Sequence, residues 1–130
     1  MLEIGQSLRQ LQAGFDKALN FIPMRGNFAR GIYATSYVNC SLSIEDATAL
    51  YMDYYCDAAF TFVVTKNPDM KQVVNTNKAI LYLEKHGDKL LIVSMIDNLL
   101  KGASGQAVQN MNLMFGLDEK TGLGLKSIAF

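Results

Sequence analysis

The chain has 130 residues, 50% of them hydrophobic and 18% charged, with twelve basic and twelve acidic side chains and a formal net charge of zero. That is the composition of one compact domain, long enough to hide roughly two-thirds of its unfolded surface without a metal or a disulfide. Neutrality, with Arg25 and Arg30 as the only close basic cluster, argues against nucleic acid; no apolar run approaches the roughly 20 residues that cross a bilayer, so no membrane partner and a cytoplasmic location are expected.

In chain order, Ile4, Leu8, Leu11 and Phe15 recur at helical spacing and predict an opening amphipathic helix with one face packed inward, despite Gly5 and Gly14. Pro23 holds the segment Phe21 to Met24 extended, and Arg25-Gly26-Asn27 reads as a turn. A strand is expected from Gly31 to Leu42. Ser43 with Asp46 makes a capping pattern for a second helix, on which Ala47, Leu50, Tyr51, Tyr54 and Ala58 repeat at helical intervals. Phe60 to Thr65 is β-branched and aromatic, Asn67-Pro68-Asp69 is a turn, and Lys71 to Val74 is expected as a further short strand.

Ala79 to Glu84 and Lys89 to Ile96 flank His86-Gly87-Asp88 and predict a hairpin at the centre of a sheet. Its second arm, KLLIVSMI, is apolar at nearly every position, which predicts a strand covered on both faces by helices. Beyond Asp97, Ser104 is expected to cap a helix with Ala107, Val108, Met111, Met114 and Phe115 on one side and Gly116 as its C-cap. The tail from Asp118 to Phe130 is expected to run irregularly over the surface. The fold class is α+β: a mixed, largely antiparallel sheet covered by helices, in a single domain spanning 1–130.

Among residues that carry chemistry, Lys101-Gly102-Ala103-Ser104-Gly105-Gln106 is the strongest local signal, because small residues let a ligand approach backbone amides at a helix amino terminus. It is not a dinucleotide fingerprint, which needs G-x-G-x-x-G between strand and helix and an acidic residue further on. An ordinary glycine loop carries equal weight on the residues alone. Gln106 and Asn110, four apart, project the same way and present amides suited to a carboxamide such as that of nicotinamide. Arg30 can offer its planar fork to a carboxylate or phosphate, with a surface ion pair as its competitor. His86 reads as a solvated turn residue, and Asn75-Thr76-Asn77 as turn capping. Met111 and Met114 suit a core or a domain interface. Cys40 and Cys56 lack metal-site spacing and read as two buried thiols, neither placed for activation.

The stretch DNLLKGASGQAVQNMNLMFGLDEKTGL closely resembles the carboxyl-terminal signature of the N-acetyl-gamma-glutamyl-phosphate reductase family, a KGAAGQAVQN-like run leading into NLM-GL. The likeness extends back through KQVVNTNKAILYLE and FIPMRGNFARGIYATSYV to EIGQSLRQL, covering essentially the whole chain. The resemblance implies a domain of the glyceraldehyde-3-phosphate dehydrogenase type that holds an N-acyl-glutamyl phosphate and makes the subunit contact, in an enzyme forming the semialdehyde with NADPH through a cysteine thioester. The cofactor-binding Rossmann domain, the G-C-Y-P-T-like nucleophile motif and the H-R-H-like segment lie upstream in the family and are absent here. No catalytic residue is therefore expected in the chain, Met1 reads as the start of an excised piece, and neither tight NADPH binding nor turnover is expected of it alone.

By the same resemblance, Gly102, Ala103, Gly105, Gln106 and Asn110 would border the NADPH nicotinamide, and their helix would pack back on the Rossmann domain, leaving its apolar face open here. Arg30, with Arg25 nearby, would face the substrate. A family P-H-L-x-P-M-x-R-G-I pattern matches at Pro23, Arg30, Gly31 and Ile32 but not at its histidine, which leaves N-acetyl and N-succinyl substrates both open. Homo-oligomers are expected through the sheet and the last helix. Composition alone also permits a non-catalytic oligomerisation or amino-acid-derivative-binding module.

Overall fold

The computed structural model describes residues 2–127. Helix α1 (Leu2–Leu11) is followed by an exposed, irregular stretch that runs to strand β1 (Ile32–Asn39). Helix α2 (Ile44–Tyr54) and strand β2 (Thr61–Val64) come next, then a 3-10 turn (Met70–Gln72), strands β3 (Ala79–His86) and β4 (Lys89–Ile96), a π-helical turn (Leu100–Ser104) and helix α3 (Gly105–Met114). The strands form one four-stranded sheet in the order β1-β4-β3-β2. Both pairs involving β4 are antiparallel, and β2 runs parallel to β3. The fold is α+β with a mixed, largely antiparallel sheet.

The hairpin is central, as its sequence predicts. His86 pairs with Lys89 across a two-residue turn in which Gly87 takes φ +58°, a conformation glycine adopts without a Cβ penalty. His86 is thus the last residue of β3 rather than part of the turn, and its Nε2 lies 3.1 Å from Glu84 Oε1 on the surface. Ser43 caps α2 by accepting the Asp46 amide at 3.0 Å, a bond worth about 1 kcal/mol.

Alternation along the strands divides the core in two. On one face, Leu83 and Leu90 are sealed by Ala47 of α2, with Ile44, Tyr51, Val63 and Ile92 around them. On the other, Ile80, Val93 and Met95 pack on Val73, which is fully buried. The expected strand Lys71 to Val74 is therefore a 3-10 turn: Asp69 accepts the Lys71 amide at 2.9 Å and starts the turn, and Val73 and Val74 then plug the sheet from above instead of extending it.

Helical cover is less complete than the apolar run of β4 predicts. All eight residues of β1 are exposed, among them Tyr33 and Tyr37, so this edge of the sheet is bare on both faces. Helix α1 forms but does not pack as expected: Leu8 and Phe15 are half-buried, whereas Leu11 is 83% exposed and only Gly5 is buried. Its periodicity sets a helix, but the surface that would receive its apolar face is missing from the described residues.

Helix α3 leaves its apolar side open, as the resemblance implies, and turns a polar side to the domain. Gly105, Gln109 and Asn112 are its buried residues, while Met111, Met114 and Phe115 face out. Hydrogen bonds make this possible: Asn112 Nδ2 donates to the carbonyls of Glu119 at 3.2 Å and Thr121 at 2.9 Å, and Gln109 Nε2 donates to Glu119 Oε1. Buried amides satisfied in this way cost little, so the polar side can lie inward and tie down the tail. The tail up to 127 is accordingly anchored rather than loose, with Leu123 buried and its carbonyl accepting Asn77 Nδ2 at 2.9 Å; residues 128–130 lie outside the described residues. Gly116, at φ +67°, ends α3 as expected, with the Leu117 amide returning to the Asn112 carbonyl at 2.8 Å.

Candidate functional site

The end of β4 is where the chain's separate signals converge. Asp97, the residue after the strand, is completely buried and accepts from four donors. Its Oδ1 takes the amides of Leu99 at 2.8 Å and Leu100 at 3.0 Å; its Oδ2 takes the amide of Asn75 at 2.7 Å. Arg30 Nη2 bridges both oxygens, at 3.1 and 2.9 Å. Asn98 continues the anchor by accepting the Gly31 amide at 2.7 Å. Burial alone would raise the Asp97 carboxyl pKa, but the amides of Asn75, Leu100 and Leu99 and the Arg30 guanidinium outweigh it and hold it below the ordinary 3.8.

Asp97, and not Ser104, therefore starts the helical run. Ser104 has helical dihedrals (φ −64°, ψ −39°) and makes no cap; its hydroxyl donates to the Leu99 carbonyl at 2.8 Å. The glycine stretch expected as a loop is itself a helical turn. Gly102 donates to the Asp97 carbonyl at 2.9 Å, Ser104 to that of Leu99 at 3.0 Å, and Gly105 to that of Leu100. These are i→i−5 bonds, the wide turn common at functional positions. They occupy the amides of Gly102, Ser104 and Gly105 among those that the sequence offered to a ligand.

The two glycines of this turn do different work. A Cβ on Gly105 would fall 1.7 Å from Asn77 Oδ1 and 2.9 Å from the Leu100 carbonyl, so this glycine exists for packing. A Cβ on Gly102 would meet only Ile96 Cδ1 at 3.4 Å and the Asp97 carbonyl at 3.5 Å, and the residue is exposed. One turn of α3 further on, Gln106 Nε2 donates to Asn110 Oδ1 at 3.3 Å, confirming that the two carboxamides share a face. Lys101, half-buried, donates to Gln109 Oε1 at 2.7 Å and lies 5.7 Å from the centre of the Phe60 ring; burial lowers its pKa, with Glu119 opposing.

Of the residues singled out from the sequence, the fold thus brings Arg30 and Gly102 together at Asp97 across 67 positions of chain, with Ala103, Gly105, Gln106 and Asn110 following along one helix. Arg25 stays on the exposed irregular segment, without an ion pair to these groups among the described residues. Asn75, Thr76 and Asn77 serve structure: Asn75 at φ +62° turns its amide to Asp97, Thr76 Oγ1 donates to the Val73 carbonyl at 2.7 Å, and Asn77 holds the tail. The cysteines are not two buried thiols, since Cys56 is exposed just beyond α2 and Cys40 is half-buried. An open groove of about 590 Å³ lies between Phe28 and Tyr33 on one side and Asn67 to Met70 on the other.

Sequence reasoning missed Asp97 as the centre of the site. The signal was present: an acidic residue and an asparagine directly after an apolar strand and before Leu99-Leu100 is a helix-start pattern seven residues upstream of the serine favoured instead.

The sheet, its bare β1 edge and the helix that follows leave apolar side chains open to solvent. Residues 1–98 match the family model described as "Semialdehyde dehydrogenase, dimerisation domain", and the chain belongs to that family. The match ends at the anchor, just before the glycine turn. Curated relatives carry the likeness through the turn: the chain is 60% identical over 130 residues to the N-acetyl-gamma-glutamyl-phosphate reductase of Parabacteroides distasonis, covering 100% of this chain and 40% of that protein. It is 64% identical over 125 residues to the reductase of that name from Christiangramia forsetii (96% and 39%) and 63% over 128 residues to that of Azobacteroides pseudotrichonymphae (98% and 39%). The chain thus spans about 40% of the length of the curated relatives it matches. Among the described residues no helix is long and apolar enough to cross a membrane.

Proposed function

We propose that this chain is the substrate-holding and dimerising part of a cytoplasmic NADPH-dependent reductase that converts an N-acyl-glutamyl 5-phosphate to the semialdehyde. The observation that carries this reading is the meeting of Arg30 with the glycine turn at Asp97, in a chain similar throughout to reductases of that substrate. In this reading 1–130 is a single domain, and the nucleophilic cysteine, the catalytic histidine and the Rossmann domain belong to a segment upstream.

Arg30 would bind a carboxylate or phosphate of the substrate with Nη1, the nitrogen that neither Asp97 nor burial takes, and Arg25 would add long-range attraction from the neighbouring loop. NADPH, when bound, would supply the hydride. The turn suits a nicotinamide better than a phosphate: the amides of Gly102, Ser104 and Gly105 are spent on π-type bonds, while bare Gly102 and Ala103 offer a surface a flat ring can approach and Gln106 with Asn110 offers matching carboxamide partners. In a full-length reductase carrying this segment, Gln106→Leu is expected to raise KM for NADPH about tenfold, the loss of one hydrogen bond, with KM for the acyl phosphate little changed. An unaltered KM for NADPH would remove Gln106 from the cofactor site.

Dimerisation is assigned to the bare β1 edge. Tyr33 and Tyr37 stand exposed beside half-buried Leu91 and Tyr82, the amphipathic aromatic surface that protein interfaces favour. Tyr37→Arg is expected to shift the protein to monomers in sedimentation velocity; an unshifted dimer would place the interface elsewhere.

A further inference from the structure

Resting on the reading of Arg30 as a substrate-binding group, we propose that Asp97 is a positioning residue: its buried carboxylate orients the Arg30 guanidinium toward the substrate and fixes that guanidinium to the start of the helix that carries the cofactor-facing residues. Three observations carry this. First, both Asp97 oxygens lie against the single nitrogen Nη2, at 3.1 and 2.9 Å, which holds the guanidinium by one corner and leaves Nη1 uncommitted among the described residues. Second, the same oxygens receive the amides of Leu99 and Leu100, so the guanidinium and the helix start share one rigid acceptor. Third, Arg30 Nε is buried with no partner among the described residues. With the Nε edge enclosed in protein and Nη2 held by Asp97, only the Nη1 side of the guanidinium can turn toward a ligand.

The arrangement does more than an ion pair would. Arg30 is 30% exposed at its side chain while Asp97 is fully buried, so the cation has one side in the protein and one side free. Gly31 is fixed beside it by Asn98, which accepts its amide at 2.7 Å, and takes φ +115°, a conformation side-chain-bearing residues rarely adopt. Backbone and guanidinium are thereby both tied to the Asp97-Asn98 corner. Substrate and cofactor sites then move as one unit, and a shift at the helix start is passed to Arg30 through a single carboxylate.

Chemical rescue in a full-length reductase carrying this segment tests the role. Arg30→Ala should raise KM for N-acetyl-gamma-glutamyl phosphate tenfold to about a hundredfold, the worth of a charge-assisted hydrogen bond or two, with kcat affected less. Guanidinium ion at non-denaturing concentration should then recover most of that loss in Arg30→Ala, because Asp97 still presents its fork. It should recover none of it in Arg30→Ala combined with Asp97→Asn, when melting shows both proteins folded. Equal rescue in the two overturns the positioning role alone, while an unchanged KM in Arg30→Ala overturns the substrate reading of Arg30 and this inference with it. Should the double variant not fold, Arg30→Ala combined with Asp97→Glu serves in its place, the carboxylate keeping its charge but standing one methylene further out. Rescue by guanidinium weakened at least about tenfold supports orientation by Asp97, and rescue equal to that of Arg30→Ala overturns it.

Discussion

Gly105→Ala is expected to destabilise the domain by about 3 kcal/mol, the upper end of what overpacking a filled site costs. The added methyl would lie 1.7 Å from Asn77 Oδ1 and 2.9 Å from a backbone carbonyl. Asn77 has little room to yield, since it is 2% exposed and its other atom is committed to the Leu123 carbonyl, so relief on one side releases the tail on the other. Gly102→Ala is the matched control. Its methyl meets ordinary contacts and replaces a glycine within a helical turn, which favours the folded state by about 0.5–1 kcal/mol. Urea unfolding of the two variants beside the parent chain checks this directly. If both glycines prove equally sensitive, the packing assignment of Gly105 is wrong; if Gly102→Ala is stable but impairs turnover in the full-length enzyme, the bare surface at Gly102 serves a ligand.

Asp97→Asn carries the second large effect, a loss of about 3 kcal/mol, because removing one partner of a buried pair leaves the others unmet. An amide nitrogen in place of Oδ2 would face the Asn75 amide and Arg30 Nη2, donor against donor; in place of Oδ1 it would face Leu99, Leu100 and the same Arg30. The pH dependence fixes the electrostatic share. Because the folded carboxyl titrates below its ordinary 3.8, its contribution is present in full above the unfolded value and is lost as pH falls through 3.8 toward the folded value. The stability gap between parent and variant should be constant from neutral pH down to about pH 5 and should narrow below about pH 4. A gap that is independent of pH through the acid range would show that the carboxylate's charge contributes nothing.

What could be read from the sequence was local. The Gly87 hairpin, the Ser43-capped helix and the Gly116 stop follow from neighbouring residues, and each stands where its pattern places it. The errors arose where distant partners decide. The open apolar side of α3 was expected, but not its buried polar side: Gln109 and Asn112 turn inward because a tail some residues downstream supplies their acceptors. Val73 has strand chemistry but seals the sheet from a 3-10 turn, because Asp69 caps it and Asn75 redirects the chain into Asp97. For the site, Arg30 and the glycine turn were legible as chemistry; Asp97 was legible only as a helix start, since an aspartate after a strand gives no hint of which arginine it will hold across 67 positions.

The exposed faces of α1, α3 and β1 make physical sense together. Leu11, Met114 and Phe115 are large apolar side chains exposed to solvent, and the chain spans about 40% of its relatives' length. In the proposed reading, the subunit partner takes the β1 edge and the upstream cofactor domain takes α3, whose methionines adapt to an interface at low cost.

The most direct measurement is NADPH oxidation with N-acetyl-gamma-glutamyl phosphate after mixing this chain with a folded upstream half that supplies the cofactor domain, cysteine and histidine, each half alone serving as control. Turnover in the mixture and in neither half is the predicted result. Silence, with both halves folded and shown to associate, or turnover by this chain alone, would contradict the account.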